Sequence, residues 1–96
     1  MKGLSKMKLN ENFLIHKSEN GEILIPVGDE TKRFHGVVKL NNTGSEIVHL
    51  LENKDMSLEE LLDVFYNEYP DSDKEEIKKG VSEFVIKLVE INAIIN

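Results

Sequence analysis

Val38-Lys39-Leu40-Asn41-Asn42-Thr43-Gly44-Ser45-Glu46-Ile47-Val48-His49-Leu50-Leu51 is the stretch where the chain changes its period. Its first residues end a run, Phe34-His35-Gly36-Val37-Val38-Lys39-Leu40, that is β-branched at its centre and predicts a strand. Beyond Asn41-Asn42 the apolar residues Ile47, Leu50 and Leu51 return at helical spacing, on one face of a helix opening near Asn41–Thr43. Asparagine and threonine suit that start, because their side-chain oxygens accept from the unpaired amides of a first helical turn. Strands are therefore expected before this point and helices after it.

Upstream, Phe13-Leu14-Ile15-His16 and Ile23-Leu24-Ile25-Pro26-Val27 are short apolar runs separated by Ser18-Glu19-Asn20-Gly21. Asn-Gly adopts the positive φ of tight turns, so Asn12–Lys17 and Glu22–Gly28 are expected to pair as a hairpin. Pro26 cannot donate to a ladder, which places it at an edge, a strand end or a bulge. Asp29–Arg33 is a polar loop.

Downstream, Ser57-Leu58-Glu59-Glu60 is a capping box, followed at helical spacing by Leu58, Leu61, Leu62, Phe65 and Tyr69 and closed by Pro70. Ser72-Asp73-Lys74-Glu75 is expected to be a second box, opening a third helix that runs to about Ile91. Asn92 tolerates the left-handed conformation that ends helices. Ala93-Ile94-Ile95 then needs a partner surface. The fold class is α+β, one domain over residues 1–96, with residues 1–8 as a loose N-terminal segment.

The third helix is apolar too far round. At about 100° per residue, Ile77, Val81, Phe84, Leu88 and Ile91 form one stripe for the core. Val85 lies at the edge of that stripe, Val89 further round and Ile86 opposite its centre, with Lys78 and Ser82 between. A broad core face plus one stray isoleucine explains this blandly. A second apolar flank lining a groove explains it functionally, since a sheet edge beside such a groove can capture an extended peptide.

Composition narrows the function. The chain has 96 residues, 18 acidic against 12 basic side chains, a net charge of −6 and no cysteine. Disulfides and thiolate chemistry are thereby excluded. The acidic balance argues against tracking a phosphate backbone. No N-terminal apolar core or membrane-length apolar run is present, so a cytosolic protein with no membrane partner is expected. His16, His35 and His49 are widely spaced and lack companions at metal-ligand spacing. The carboxylates fall on helix surfaces and in capping positions, and the glycines form no phosphate cradle. Neither an active site nor a cofactor is expected.

From Met7 onward the order of features resembles the PqqD-like family, also called the RiPP recognition element. The segment quoted first is similar to that family's LN-x-TG-x-x-I-W-x-LL core. Lys8-Leu9-Asn10-Glu11-Asn12-Phe13 and Leu24-Ile25-Pro26-Val27-Gly28 fit its first two strands. Ser57-Leu58-Glu59-Glu60-Leu61 fits its T-x-E-E-L helix start, and Phe84-Val85-Ile86-Lys87-Leu88 its closing F-x-x-x-L helix. Two departures stand out: Val48 replaces the usual tryptophan, and Asn92 the usual glycine.

The resemblance implies a winged-helix-like domain in which an N-terminal three-stranded antiparallel sheet precedes three helices. It implies a non-catalytic module that binds the leader segment of a ribosomally made precursor peptide as an added strand. The module presents that peptide to a modifying enzyme such as a radical S-adenosylmethionine maturase. Carried over, the backbone of Gly36, Val37, Val38, Lys39 and Leu40 would pair with the leader. Val81, Ser82, Val85 and Val89, with Lys78 at the rim, would line the side-chain pocket. One rival is an adaptor that docks on an enzyme and carries no peptide. The other is a DNA-binding winged helix, disfavoured because Asp73–Ile91 carries four lysines against five acids. A monomer and a homodimer both fit an unpaired strand.

Overall fold

A computed structural model of the chain describes residues 6–33 and 36–96. Among these residues, five strands and three helices follow one another as β1 (Lys8–Leu9), β2 (Phe13–Ser18), β3 (Gly21–Pro26), β4 (Val38–Leu40), α1 (Asn42–Asn53), α2 (Leu58–Glu68), α3 (Lys74–Glu90) and β5 (Ile94–Ile95). The architecture is the expected α+β arrangement, with antiparallel sheets and three helices. Phe13, Leu24, Val38 and Leu40 from the sheet meet Ile47, Leu51, Leu61, Phe65, Val81 and Leu88 from the helices in one core.

The hairpin forms in the register Phe13↔Pro26 to Ser18↔Gly21. Its positive φ falls on Gly21 (124°), while Glu19 and Asn20 form the loop, so the turn sits one residue earlier than an Asn-Gly centre. Pro26 ends β3, where no further ladder donor is needed. The polar loop after it contains a 3-10 turn, Gly28–Lys32.

The third strand is shorter than expected. Gly36 takes φ 124°, a conformation open to glycine and hostile to a continuous ladder, so pairing begins at Val38. Phe34 and His35, the start of the predicted strand, lie outside the described residues.

Helix starts follow the local chemistry with one correction. Asn41 Oδ1 accepts from the Gly44 amide at 2.7 Å, and the Ser57–Glu60 capping box closes in both directions. At α3, however, Asp73 is the cap, accepting from the Glu75 amide at 2.9 Å. The Ser72 amide instead donates to the Tyr69 carbonyl at 3.1 Å, so the second box does not form and the helix opens one residue later than a Ser72 cap would set it.

Asn92 is left-handed, with φ 68°. It turns the chain so that Ile94 and Ile95 pair antiparallel with Leu9 and Lys8. The apolar C-terminal residues thus find the chain's own N-terminal strand, a pairing the sequence did not reveal. Met7 extends it by exchanging backbone hydrogen bonds with Met56, at 2.7 and 3.0 Å. Met7 and Lys8, expected within a loose segment, are therefore held by the backbone; residues 1–5 lie outside the described residues.

Candidate peptide-binding edge

β4 is an edge. The three-stranded sheet runs in the order β2-β3-β4, with Leu40, Lys39 and Val38 opposite Glu22, Ile23 and Leu24. No described strand lies on its other side. Val38 and Leu40 point into the core and Lys39 points out. Such an edge presents backbone N–H and C=O groups ready for another chain.

Two contacts fix this edge in place. Glu22, the cross-strand partner of Leu40, accepts from His49 Nε2 of α1 at 2.9 Å. Hydrogen bonds from His49 and then Ser45 hold the Glu22 carboxyl below the ordinary carboxylate range. The second contact is Gly44, the third residue of α1, which lies under the ring of Phe84 in α3. A β-carbon at position 44 would collide with that ring. Glycine is demanded here by close packing of two helices.

The first turn of α1, the end of α2 and the N-terminal half of α3 enclose a cavity of about 410 Å³. Phe65, Ile77 and Val81 give it apolar walls, Gly80 leaves it open, and Asp73 and Glu76 stand at its rim. Tyr69, also in the lining, donates its hydroxyl to Glu46 at 3.3 Å. The Lys87 ammonium lies 5.8 Å from the centre of the Phe84 ring, within cation–π range.

The residues singled out from the sequence take different places. Gly36 and Val37 precede β4 and are exposed. Val81 is 1% exposed and Val85 6%, so both belong to the core. Lys78 and Val89 are exposed and Ser82 is half-buried. At about 100° per residue, these last three lie roughly 120–160° round the helix from Phe84, on the side where Lys74 covers Tyr66 of α2. Gly80 and Lys87 lie about 40° and 60° from Phe84 in the opposite direction, toward the first turn of α1. The α3 residues brought next to the first turn of α1 are thus Gly80 and Phe84. Their contact with α1 joins segments remote in sequence, which spacing along the chain does not reveal. Among the described residues, no cluster of histidine and carboxylate side chains is arranged to hold a metal, and no helix is long and apolar enough to cross a membrane.

Comparison with known proteins gives a family and a fold. The family model described as coenzyme PQQ synthesis protein D (PqqD) matches residues 23–94. Among solved structures, one described as lasso peptide synthetase B1 complexed with the leader peptide superposes with a TM-score of 0.70. The match covers 96% of this chain and 100% of that one at 16% sequence identity, a likeness of fold. Among curated proteins, none matches the sequence.

Proposed function

The chain belongs to the coenzyme PQQ synthesis protein D family, and on that premise we propose that it is a leader-peptide-binding module acting by strand addition. The observation that carries this reading is the open edge of β4, which runs straight into the capped start of α1 beside Phe84 of α3. An extended peptide pairs its backbone with residues 36–40 there. Its side chains reach the Gly80–Phe84 side of α3 and the cavity below it. The leader seen in the lasso peptide synthetase B1 structure supports this reading by analogy of fold.

The module does its work for another protein. Holding one end of a precursor raises the effective concentration of the other end at a modifying enzyme, which in this proposal is a radical S-adenosylmethionine maturase. No chemistry is assigned to the module itself. Lys39 and Lys87 favour acidic leader side chains, an attraction that salt weakens. The working location is the cytosol.

Titration of the isotope-labelled protein with leader segments encoded beside its gene tests this. The expected result is saturable binding with amide shifts at Val37–Leu40 and at Gly80, Phe84 and Lys87. Shifts at Lys78, Ser82 and Val89 instead would move the groove to the other flank of α3. No binding by any such segment would leave the enzyme-docking adaptor as the better reading.

A further inference from the structure

The sheet has a second surface, its outer face, which leader capture touches only at the β4 margin. Neighbouring side chains of a strand point to opposite faces. With Phe13, Leu24, Val38 and Leu40 in the core, Leu14 and His16 of β2, Ile23 and Ile25 of β3, and Lys39 of β4 share the outer face. The register sets Leu14 opposite Ile25, and Ile23 between His16 and Lys39. None of these three apolar residues joins the core. Leu14 is 55% exposed and Val37, just before β4, is 49% exposed.

Charge says what kind of surface would cover it. The protein carries a net charge of −6, yet no outward position on these three strands holds a carboxylate. The polar groups facing out beside the apolar patch include the Lys39 ammonium and the His16 imidazole. A second copy docking by its own outer face would bring the two Lys39 ammonium groups onto one surface with no carboxylate between them. An apolar patch bordered by carboxylates is complementary. The face is also continuous with β4, so a strand added there widens it and contributes every other side chain to it.

We infer that the outer face of the three-stranded sheet docks a partner protein through an apolar patch rimmed by carboxylates, and that this partner is the enzyme that modifies the captured peptide. The identity of the partner rests on the leader-capture reading; the docking face does not. Peptide and enzyme then meet on one continuous surface, with β4 between them.

The test uses Leu14→Glu, Leu14→Lys and His16→Glu, all on β2 and two strands from the peptide edge. Each variant is titrated with the leader peptide and with each purified modifying enzyme encoded beside the gene, and its self-association is measured by sedimentation. Leu14→Glu and His16→Glu are expected to weaken enzyme binding by about tenfold or more, the order carried by a central interface side chain. Leu14→Lys should weaken it less, because it keeps the sign of the face. Leader affinity should stay within about twofold, as for a remote surface change. Three results would overturn the inference: unchanged enzyme affinity in all three variants, no enzyme binding by the wild-type protein, or a wild-type dimer that these variants dissociate. Failure of the leader to bind while an enzyme still docks on this face would sink the capture reading and leave the docking face standing.

Discussion

Gly44 and Gly80 show how one residue type can carry opposite meanings on neighbouring helices. Both are helical, but Gly44 lies against the Phe84 ring whereas a β-carbon at Gly80 would meet nothing within 4 Å. Alanine at 44 must push the ring aside, and overpacking of this kind costs about 1–3 kcal/mol. Alanine at 80 should stabilise the helix by roughly 0.5–1 kcal/mol, while narrowing the open side of the cavity and weakening peptide binding. Urea unfolding of the two variants checks the opposite signs; equal effects would mean the ring is not seated on Gly44. Asn10 makes a third test. Its Nδ2 donates to the Asn92 carbonyl at 2.8 Å and its Oδ1 accepts from the Asn12 amide at 2.9 Å. Beside it, the buried Glu30 carboxylate accepts from Asn10 and Asn92 through one oxygen and has no partner at the other among the described residues. Asn10→Ala strips three bonds from a buried junction of both chain ends and should cost about 1–3 kcal/mol. A loss well under that in urea unfolding would show the junction to be incidental.

At the scale of elements, the caps and clasps set the pH response. Backbone and side-chain hydrogen bonds, Ser57 foremost, hold the Glu60 carboxyl below the ordinary range, as His49 does for Glu22. A carboxylate whose folded value is depressed adds stability that is fully present above its unfolded value and is lost as pH falls through the folded one. Stability should therefore decline on acidification, with a shallower decline in Glu22→Gln. Parallel acid limbs for variant and wild type, measured as urea midpoints between about pH 6 and pH 3, would contradict the clasp. Ser57→Ala should cost about 1 kcal/mol through loss of the α2 cap. That cap, like Asn41, was legible because each local sequence carries its own hydrogen-bonding partner. What the sequence hid depends on distance. β1 and β5 are two residues each and exist only by pairing with each other. The Asp73 cap won over Ser72 through a contest between adjacent residues that spacing cannot decide. Val85, which the family resemblance placed in the groove, lies at the edge of the apolar stripe and is buried in the core. Val85→Asp is therefore expected to unfold the protein rather than report on peptide binding.

For the whole molecule, the division of labour follows from the sheet. Its inner face supplies the core, its β4 edge the proposed peptide site and its outer face the proposed docking surface. The family was legible in the order of segments from Met7 to Leu88 taken together, and the strand-then-helix order in residues 38–51, where the change of period separates sheet from helices. Which residues of α3 meet the first turn of α1 was not visible, because rotation of a helix about its axis is set by what packs against it. The central claim is that a leader peptide adds to β4 as a fourth strand. Amide hydrogen exchange of β4, with and without a saturating leader segment encoded beside the gene, tests it most directly. The amides of β4 that do not bond to β3 should become protected on binding, together with alternate amides of the peptide. Saturable binding that leaves those β4 amides as exchangeable as before would contradict strand addition and place the peptide elsewhere on the protein.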